Sequence, residues 1–358
     1  MQLLESAISR VGALDNAAIA AARERHRRLT KPLGSLGRLE EIAIQVAGIQ
    51  GCARPEVSPK AVFVLAGDHG VVAEGVTAYP QSVTAQMLAN FAAGGAAINV
   101  LARQVGARVV LADMGVAAEV EPTAGLAGTK VAPGTRNFAE VPAMTRSEAV
   151  RSLETGIGLV ERECARGLRL AATGDMGIGN TTASAAMIAA WTGRPPRSVT
   201  GRGTGIDDAR LARKTAVIER ALALHRPDPH DPLDVLTKVG GFEIGGLAGV
   251  IIGAAAHRVP VVLDGVISGA AALVAVGLAP RARDFLIAGH LSPEPGHRVC
   301  LRHLRLRPLL DLGMRLGEGT GAALAMALVE AAVRALNEMA TFEEAGVDQA
   351  AESTCGPS

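Results

Sequence analysis

The run AVFVLAGD (61–68) decides the fold class, together with four like it: ARVVLAD (107–113), LRLAATGD (168–175), VPVVLDG (259–265) and DFLIAGH (284–290). Each run is about as long as a strand and almost continuously apolar, the pattern of a strand buried on both faces of a parallel sheet. Helical patterns separate the runs, at 82–104, 145–165, 180–192, 206–224, 243–257 and 266–279. This alternation predicts right-handed βαβ crossovers and a doubly wound α/β sheet.

The two ends of the chain have a different pattern. Residues 15–50 and 318–340 are helical in pattern, with no strand pattern beside them. We expect both termini to form one small helical domain, 1–54 plus 316–350, next to a large substrate-binding α/β domain, 55–315. The last residues, 351–358, are expected to be a loose tail.

The composition of the chain indicates which kinds of binding partner to expect. The chain has 36 basic and 35 acidic residues and only 2% aromatics, which argues against binding to nucleic acid. The N-terminal segment lacks the pattern of a secretion signal, and Gly, Pro or charge interrupts the longest apolar stretches, so we expect no membrane span. The four cysteines show no CxxC spacing. We therefore expect the cysteines to be free thiols in a reducing compartment. We expect a cytoplasmic protein with no metal and no cofactor.

Polar residues follow the apolar runs. Asp68, Asp113, Asp175 and Asp264 come at or just after their ends, and His69 and His290 hold similar places. Because ligands of open parallel sheets bind outside the carboxyl ends of the strands, these side chains are predicted to face one cleft. The alternative is that each Asp only caps the next helix or forms an Asx turn.

Segment 172–184, ATGDMGIGNTTAS, predicts a phosphate site. Three glycines lie between a strand and an Ala-rich helix, and they allow close approach of the backbone N–H groups at the helix start. We expect Gly177, Gly179, Asn180 and Thr181 to hold phosphate or ribose. The segment lacks both GxxxxGK[ST] and GxGxxG. An ordinary glycine turn with a helix cap is the alternative.

Three further segments supply candidate residues. Glu318 lies between two glycines before a helix, where it can act as a general base or only cap the helix. Lys214 projects from a helix after the glycine-rich turn at 201–205 and can neutralise a phosphate, although such charges commonly form a solvated face. Segment 74–88 contains Tyr79 and Met87, which can pack on an aromatic ligand or in the core.

Taken together, six segments resemble the signature segments of one family, the nicotinate-nucleotide–dimethylbenzimidazole phosphoribosyltransferases (CobT). They are KPLGSLGRLE (31–40), GDHGVVAEGV (67–76), GDMGIGNTT (174–182), VLTKVGGFEIGGLAG (235–249), PVVLDGVISGAAAL (260–273) and MRLGEGTGAALAM (314–326). The resemblance runs from the N-terminal region through the C-terminal helix and leaves only the tail outside it.

The resemblance implies a Rossmann-like sheet and a homodimer whose site takes N-terminal residues from the partner. It implies transfer of ribose 5-phosphate from nicotinate mononucleotide to 5,6-dimethylbenzimidazole, giving α-ribazole 5′-phosphate and nicotinate. Glu318 corresponds to the general base and Lys214 to a phosphate-binding lysine. The family often has Glu where this chain has Asp175, which puts an essential proton-transfer role of Asp175 in doubt. We expect the base between segments 79–88 and 314–318. Its expected contacts are Tyr79, Gln81, Met87 and Leu316.

Three other functions compete with this interpretation. A dehydrogenase on the same fold would carry GxGxxG, which the chain lacks. A phosphoribosyltransferase that uses a diphosphate donor would carry paired acids after a buried strand, whereas VVLDGVISG has one. A non-catalytic nucleotide-binding protein would bind nicotinate mononucleotide and release no nicotinate with any base.

Overall fold

The computed structural model describes residues 1–120 and 126–348. These residues form a six-stranded, fully parallel sheet in the order β3-β2-β1-β4-β5-β6. The strands are β1 (Lys60–Gly67), β2 (Ala107–Gly115), β3 (Leu126–Gly128), β4 (Leu170–Met176), β5 (Val261–Leu263) and β6 (Leu286–Ala288). This is the strand order of the doubly wound Rossmann fold. The predicted fold class is therefore confirmed.

Helices connect and cover the strands. Before β2 they are α1 (Gln2–Arg10), α2 (Asn16–Arg28), α3 (Arg38–Gln50), α4 (Ser82–Ala92) and α5 (Ala97–Gln104). Between β3 and β5 they are α6 (Arg146–Cys164), α7 (Asn180–Thr192), α8 (Asp208–His225), α9 (Pro232–Val239) and α10 (Phe242–Ala256). The rest are α11 (Val266–Leu278), α12 (Pro295–Leu304), α13 (Thr320–Glu338) and α14 (Phe342–Ala345).

The centre of the sheet explains its continuous apolar runs. Every residue of β1 is buried, because β2 and β4 pair with it on either edge and helices cover both faces. Helix α10, which packs on β1 and β4, is buried over almost its whole length. A strand enclosed on all sides needs apolar side chains at every position rather than at alternate ones.

Several predicted bounds were wrong. The helix expected over 82–104 is two helices, because Gly94 takes a left-handed backbone (φ 79°) and ends α4. β5 and β6 are shorter than their apolar runs. The sequence-based prediction missed β3, α9 and α12.

The chain divides into two compact units, residues 1–13 with 58–327, and residues 14–57 with 328–358. The first helix lies in the larger unit, contrary to the expected boundary, because Leu4 and Ala7 are buried and α1 packs on α6 and α10. Residues 316–327 also belong there, since backbone contacts tie the turn at 317–319 to β4. The tail expected at 351–358 lies outside the described residues.

Two helical stretches of the described chain, Ser82–Gln104 and Thr320–Glu338, are long and apolar enough to cross a membrane by composition alone. The sequence-based expectation had excluded such stretches. They are weak indications, because core helices pass the same test. The break after α4 also interrupts the first stretch.

Candidate active site

The site lies at the carboxyl ends of β4, β5 and β6, beside the point between β1 and β4 where the strand order reverses. Parallel strands bring their ends to one edge, so the buried side chains of Asp175, Asp264 and His290 come together from distant parts of the sequence. Asp68 is also buried, but its Oδ2 accepts from the Ala117 N–H (2.8 Å) and it does not line the cavity. Asp113 does not line the predicted cleft. Its carboxylate accepts from the N–H groups of the next residues along the chain, the local Asx-turn role that was the alternative.

A cavity opens at this edge. The described residues that line it come from the ends of β4, β5 and β6 and from two loops: Asp175, Met176, Gly177, Ile178, Asn180, Thr181, Gly203, Thr204, Gly265, Val266, Ile267, His290, Ser292, Glu294, Arg315, Leu316 and Gly317. The glycine turn and the segment before Glu318 both reach it, as the sequence indicated. The contributions of Ser292, Glu294 and Arg315 were not singled out from the sequence.

The glycine turn between β4 and α7 is packed directly on the end of β1. A Cβ atom at Gly177 would lie 2.2 Å from the carbonyl oxygen of Gly67, so no larger residue fits there. Gly179 has φ 99° and stands at the N-cap of α7, where the N–H groups of Asn180 and Thr182 donate to the carbonyl oxygens of Gly177 (3.1 Å) and Gly179 (2.9 Å). Gly177, Asn180 and Thr181 line the cavity, whereas Gly179 shapes the turn behind them.

Lys214 is buried behind the glycine turn. Its ammonium donates to Thr181 Oγ1 (2.8 Å) and to the Gly201 carbonyl oxygen (3.2 Å), and it thereby joins the first turn of α7 to the turn at 201–205. Burial lowers the pKa of Lys214 to about 8, and the charge of Glu294 opposes that shift. An anion beside Thr181 would favour the charged ammonium.

Glu318 stands in an unusual turn just before α13. Its own backbone is left-handed (φ 63°), and so are those of Gly317 and Gly319 on either side. The carboxylate does not cap its own helix, since Oε2 accepts from the Ile98 N–H of α5 (3.3 Å). Burial raises the pKa of Glu318, the backbone N–H of Ile98 opposes the shift and the charge of Asp264 adds to it.

Asp175 lies beside the same turn. Its Oδ2 accepts from Asn180 Nδ2 (2.9 Å), while Oδ1 is buried and has no partner among the described residues. Complete burial raises the pKa of Asp175 well above its usual range, and the charges of Asp264 and Glu243 add to this. The described surroundings therefore favour a neutral carboxylic acid at Asp175.

Of the four residues expected to contact the benzimidazole base, one lines the cavity in the described structure. Leu316 lines it and is 59% exposed. Tyr79 is 49% exposed in a loop before α4, and neither it nor Gln81 nor Met87 is among the lining residues. Helix α4 does reach the glycine turn through Thr84, whose Oγ1 accepts from the Ile178 N–H (3.1 Å). The roles of Tyr79, Gln81 and Met87 stay predictions.

A family model for phosphoribosyltransferases matches residues 11–347 of this chain. The chain belongs to this phosphoribosyltransferase family. It is 61% identical over 350 residues to a protein of Desulforudis audaxviator named nicotinate-nucleotide–dimethylbenzimidazole phosphoribosyltransferase, with 98% of this chain and 99% of that one covered. A relative of the same name from Roseiflexus castenholzii is 61% identical over 347 residues, with 97% of this chain and 98% of that one covered.

Solved structures of the phosphoribosyltransferase family agree with the fold. The crystal structure of CobT from Thermus thermophilus is similar with a TM-score of 0.90 and 52% identity, and the match covers 93% of this chain and all of that one.

Proposed function

We propose that this chain transfers ribose 5-phosphate from nicotinate mononucleotide to 5,6-dimethylbenzimidazole, giving α-ribazole 5′-phosphate and nicotinate in the assembly of the cobalamin lower ligand. The geometry of Glu318 carries the proposal, because its buried carboxylate stands in a left-handed turn whose residue Gly317 lines the cavity, together with the glycine turn before α7. The names of the relatives support the choice of substrates.

The chemistry needs one base and no acid. The bond between C1′ and the pyridinium nitrogen breaks, and its electron pair leaves with the ring, which becomes neutral without being protonated. One nitrogen of the benzimidazole forms the new bond to C1′ from the opposite face, so a β-linked nucleotide gives an α-linked product. The proton on the other nitrogen must be lost, and Glu318 accepts it in this proposal.

The raised pKa of Glu318 suits this role, since a general base works best when its pKa approaches the working pH. Gly177, Gly179, Asn180 and Thr181 hold the phosphate and ribose in the proposal, with Lys214 behind Thr181. Asp175 serves as a neutral hydrogen-bonding acid at the cavity wall. Holding the two rings in line contributes to the rate through proximity.

Assembly and location also belong to the proposal. We infer a homodimer that works in the cytoplasm on small-molecule substrates, with no nucleic acid or membrane as partner. The dimer rests on the resemblance of the 31–40 segment to one that completes the partner's site in the family. The cytoplasm is supported by the three described cysteines, which are free thiols.

The test is direct. Purified protein is incubated with nicotinate mononucleotide and a panel of benzimidazole and purine bases, without added metal, and nicotinate and the nucleotide product are quantified by chromatography. Equal release of nicotinate and formation of α-ribazole 5′-phosphate are expected. Binding of the nucleotide with no release of nicotinate for any base would indicate a non-catalytic binding protein instead.

A further inference from the structure

The backbone of the turn that carries Glu318 is held in place from the sheet. Gly317, Glu318 and Gly319 have φ values of 84°, 63° and 90°, so three left-handed residues follow one another. Glycine adopts this conformation freely, but a glutamate there is strained and persists only where surrounding contacts hold it. The contacts that hold this turn therefore fix the direction of the Glu318 side chain.

One of these contacts comes from a side chain on another strand. Asp264 follows β5 and is buried, and its two oxygens accept from the N–H groups of Gly319 (3.3 Å, Oδ2) and Ala322 (3.0 Å, Oδ1). A backbone bond also runs from the Glu318 N–H to the Asp175 carbonyl oxygen (3.2 Å), and the N–H (3.0 Å) and hydroxyl (2.8 Å) of Thr320 donate to the Gly317 carbonyl oxygen within the turn. Any residue at position 175 supplies that carbonyl, whereas only a short acceptor side chain supplies the bonds from position 264.

The surroundings of Asp264 keep its carboxylate fixed. Its Oδ1 is 3.6 Å from His290 Nε2, and its N–H donors lie at the start of α13. Burial raises the pKa of Asp264, whereas the charge of His290 and these N–H groups oppose the shift. A Cβ atom at Gly321 would lie within 2.6 Å of the His290 ring, so the ring is packed against the same helix start. Asp264 itself does not line the cavity.

We propose that Asp264 is a positioning residue for the reaction, which holds the peptide after Glu318 so that the Glu318 carboxylate meets the ring nitrogen of the incoming base. The inference rests on the proposed function. The role of Asp264 differs from ordinary helix capping for two reasons. The capping side chain comes from the residue after β5, and one of its bonds is with the N–H of Gly319, the residue directly after Glu318. Loss of that bond releases the strained turn rather than only fraying the helix.

The first test is Asp264→Asn, which keeps the size of the side chain but leaves only one oxygen to accept from two N–H groups. The kcat is expected to fall by about 10- to 100-fold, the cost of misplacing a reacting group by roughly 1 Å. The KM for nicotinate mononucleotide is expected to stay near the wild-type value, because the phosphate contacts are elsewhere. Hydrogen exchange of the peptide 314–326 is expected to speed up in the same protein.

The second test asks whether Asp264 acts through Glu318. In the Glu318→Gln background, Asp264→Asn is expected to cause little further loss of kcat, because there is no base left to position. A merely structural role predicts the opposite, a similar loss in both backgrounds. Independent, multiplicative losses in this double-mutant cycle would overturn the proposal, and so would wild-type turnover of Asp264→Asn.

Asp231→Asn is the matched control. Asp231 Oδ1 also accepts from two N–H groups at a helix start, those of Leu233 and Asp234 in α9, and the carboxylate pairs with Arg146 outside the cavity lining. Its kcat is expected to be unchanged. If Asp264→Asn does not fold, Asp264→Glu keeps both oxygens and shifts them by one methylene, and the same fall in kcat with an unchanged KM is expected.

The outcomes separate the two proposals. A wild-type protein that releases no nicotinate would overturn the proposed function together with this inference. A wild-type protein that turns over, beside an Asp264→Asn variant with the same kcat and the same exchange at 314–326, would overturn this inference alone.

Discussion

At the scale of single residues, burial divides the work between the two carboxyl groups at the cavity edge. Glu318 is partly desolvated and its pKa is raised, whereas Asp175 is completely enclosed and its pKa is raised well above the usual range. Burial favours the neutral form of both groups, and it does so more strongly for the fully enclosed Asp175, so we propose different roles for the two. We therefore assign the base to Glu318 and a neutral, hydrogen-bonding role to Asp175.

Replacing Glu318 by Gln tests the base. The amide is nearly isosteric and keeps an acceptor for the Ile98 N–H, but it cannot take the proton from the base. Turnover is expected to fall by roughly 10²–10⁴-fold, with little change in melting temperature. The loss should shrink for a base analogue that is already deprotonated. Turnover near the wild-type rate would exclude Glu318 from the mechanism.

Replacing Asp175 by Asn tests its protonation. The folded pKa of Asp175 is raised, so the native state holds its proton more tightly than the unfolded chain does, and this contribution to stability is lost as pH rises from about 4 through the folded pKa. Asn imitates the neutral acid at every pH. The free energy of unfolding of Asp175→Asn, relative to that of wild type, is therefore expected to rise with pH by at most ~1.4 kcal/mol per pH unit. Melting temperatures of the two proteins, measured over a range of pH, check this.

Turnover of Asp175→Asn is expected to stay within about tenfold of wild type, because the hydrogen bond from Asn180 survives and a general base would account for a larger loss. A stability difference that does not change with pH would show that Asp175 is ionised in the native state. A loss as large as that of Glu318→Gln would instead make Asp175 a proton-transfer group.

At the scale of elements, we expect the phosphate to bind at the start of α7. Gly179 and Gly193 are the two caps of this helix, and both have a left-handed backbone (φ 99° and 63°). A Cβ atom at Gly179 would lie 2.9 Å from Val72 Cγ2, whereas one at Gly193 would meet nothing within 4 Å. The same helix therefore carries both a test position and its control.

Gly179→Ala is expected to raise the Kd for nicotinate mononucleotide, and for inorganic phosphate, by about tenfold or more, since strain of about 1–2 kcal/mol per left-handed residue displaces the turn. Gly193→Ala carries similar strain and should bind normally. Calorimetric titration of both variants checks this. Equal Kd values for the two variants would move the phosphate site away from residues 176–182.

The elements were predictable where one local signal dominates. β1, β2 and β4 were found within two residues because each is apolar throughout and buried along its length or at its carboxyl end. β3 is too short and too exposed to give such a signal. α9 had a local signal, Asp231 as cap followed by Pro232, which the search for long apolar periods passed over. The break between α4 and α5 depends on a glycine conformation that an apolar pattern does not reveal.

At the scale of the whole molecule, we expect the homodimer to be needed for activity. Leu33, in the 31–40 segment, is 75% exposed and is therefore available to a partner surface. Light scattering is expected to give about twice the chain mass of 36.6 kDa. Leu33→Asp should lower both the dimer fraction and turnover.

Mixing two weakened variants gives a sharper result. A heterodimer of Leu33→Asp and Glu318→Gln contains one site with both residues intact, if each site takes its 31–40 segment from the partner. Activity of the mixture above either variant alone is therefore expected. A fully active monomer at assay concentration would rule out the dimer requirement.

The location of the site could be predicted from the sequence better than the contacts between its residues. Asp175 and Glu318 could be named because strand ends and glycine-flanked residues leave local marks in the sequence. The bonds from Asp264 to the Gly319 turn could not be named, because they join segments far apart in the chain and depend on the exact crossing of β5 and α13. Tyr79 and Met87 were chosen for their chemistry, which does not determine the direction of a loop.

The strand-end carboxylate at Asp264 also has a consequence for the order in which the protein is made. All six strands leave the ribosome before residue 317, but the N–H groups that Asp264 binds belong to Gly319 and Ala322. A chain that stops before residue 317 therefore lacks both the N–H groups that bind the Asp264 carboxylate and Glu318, the proposed base.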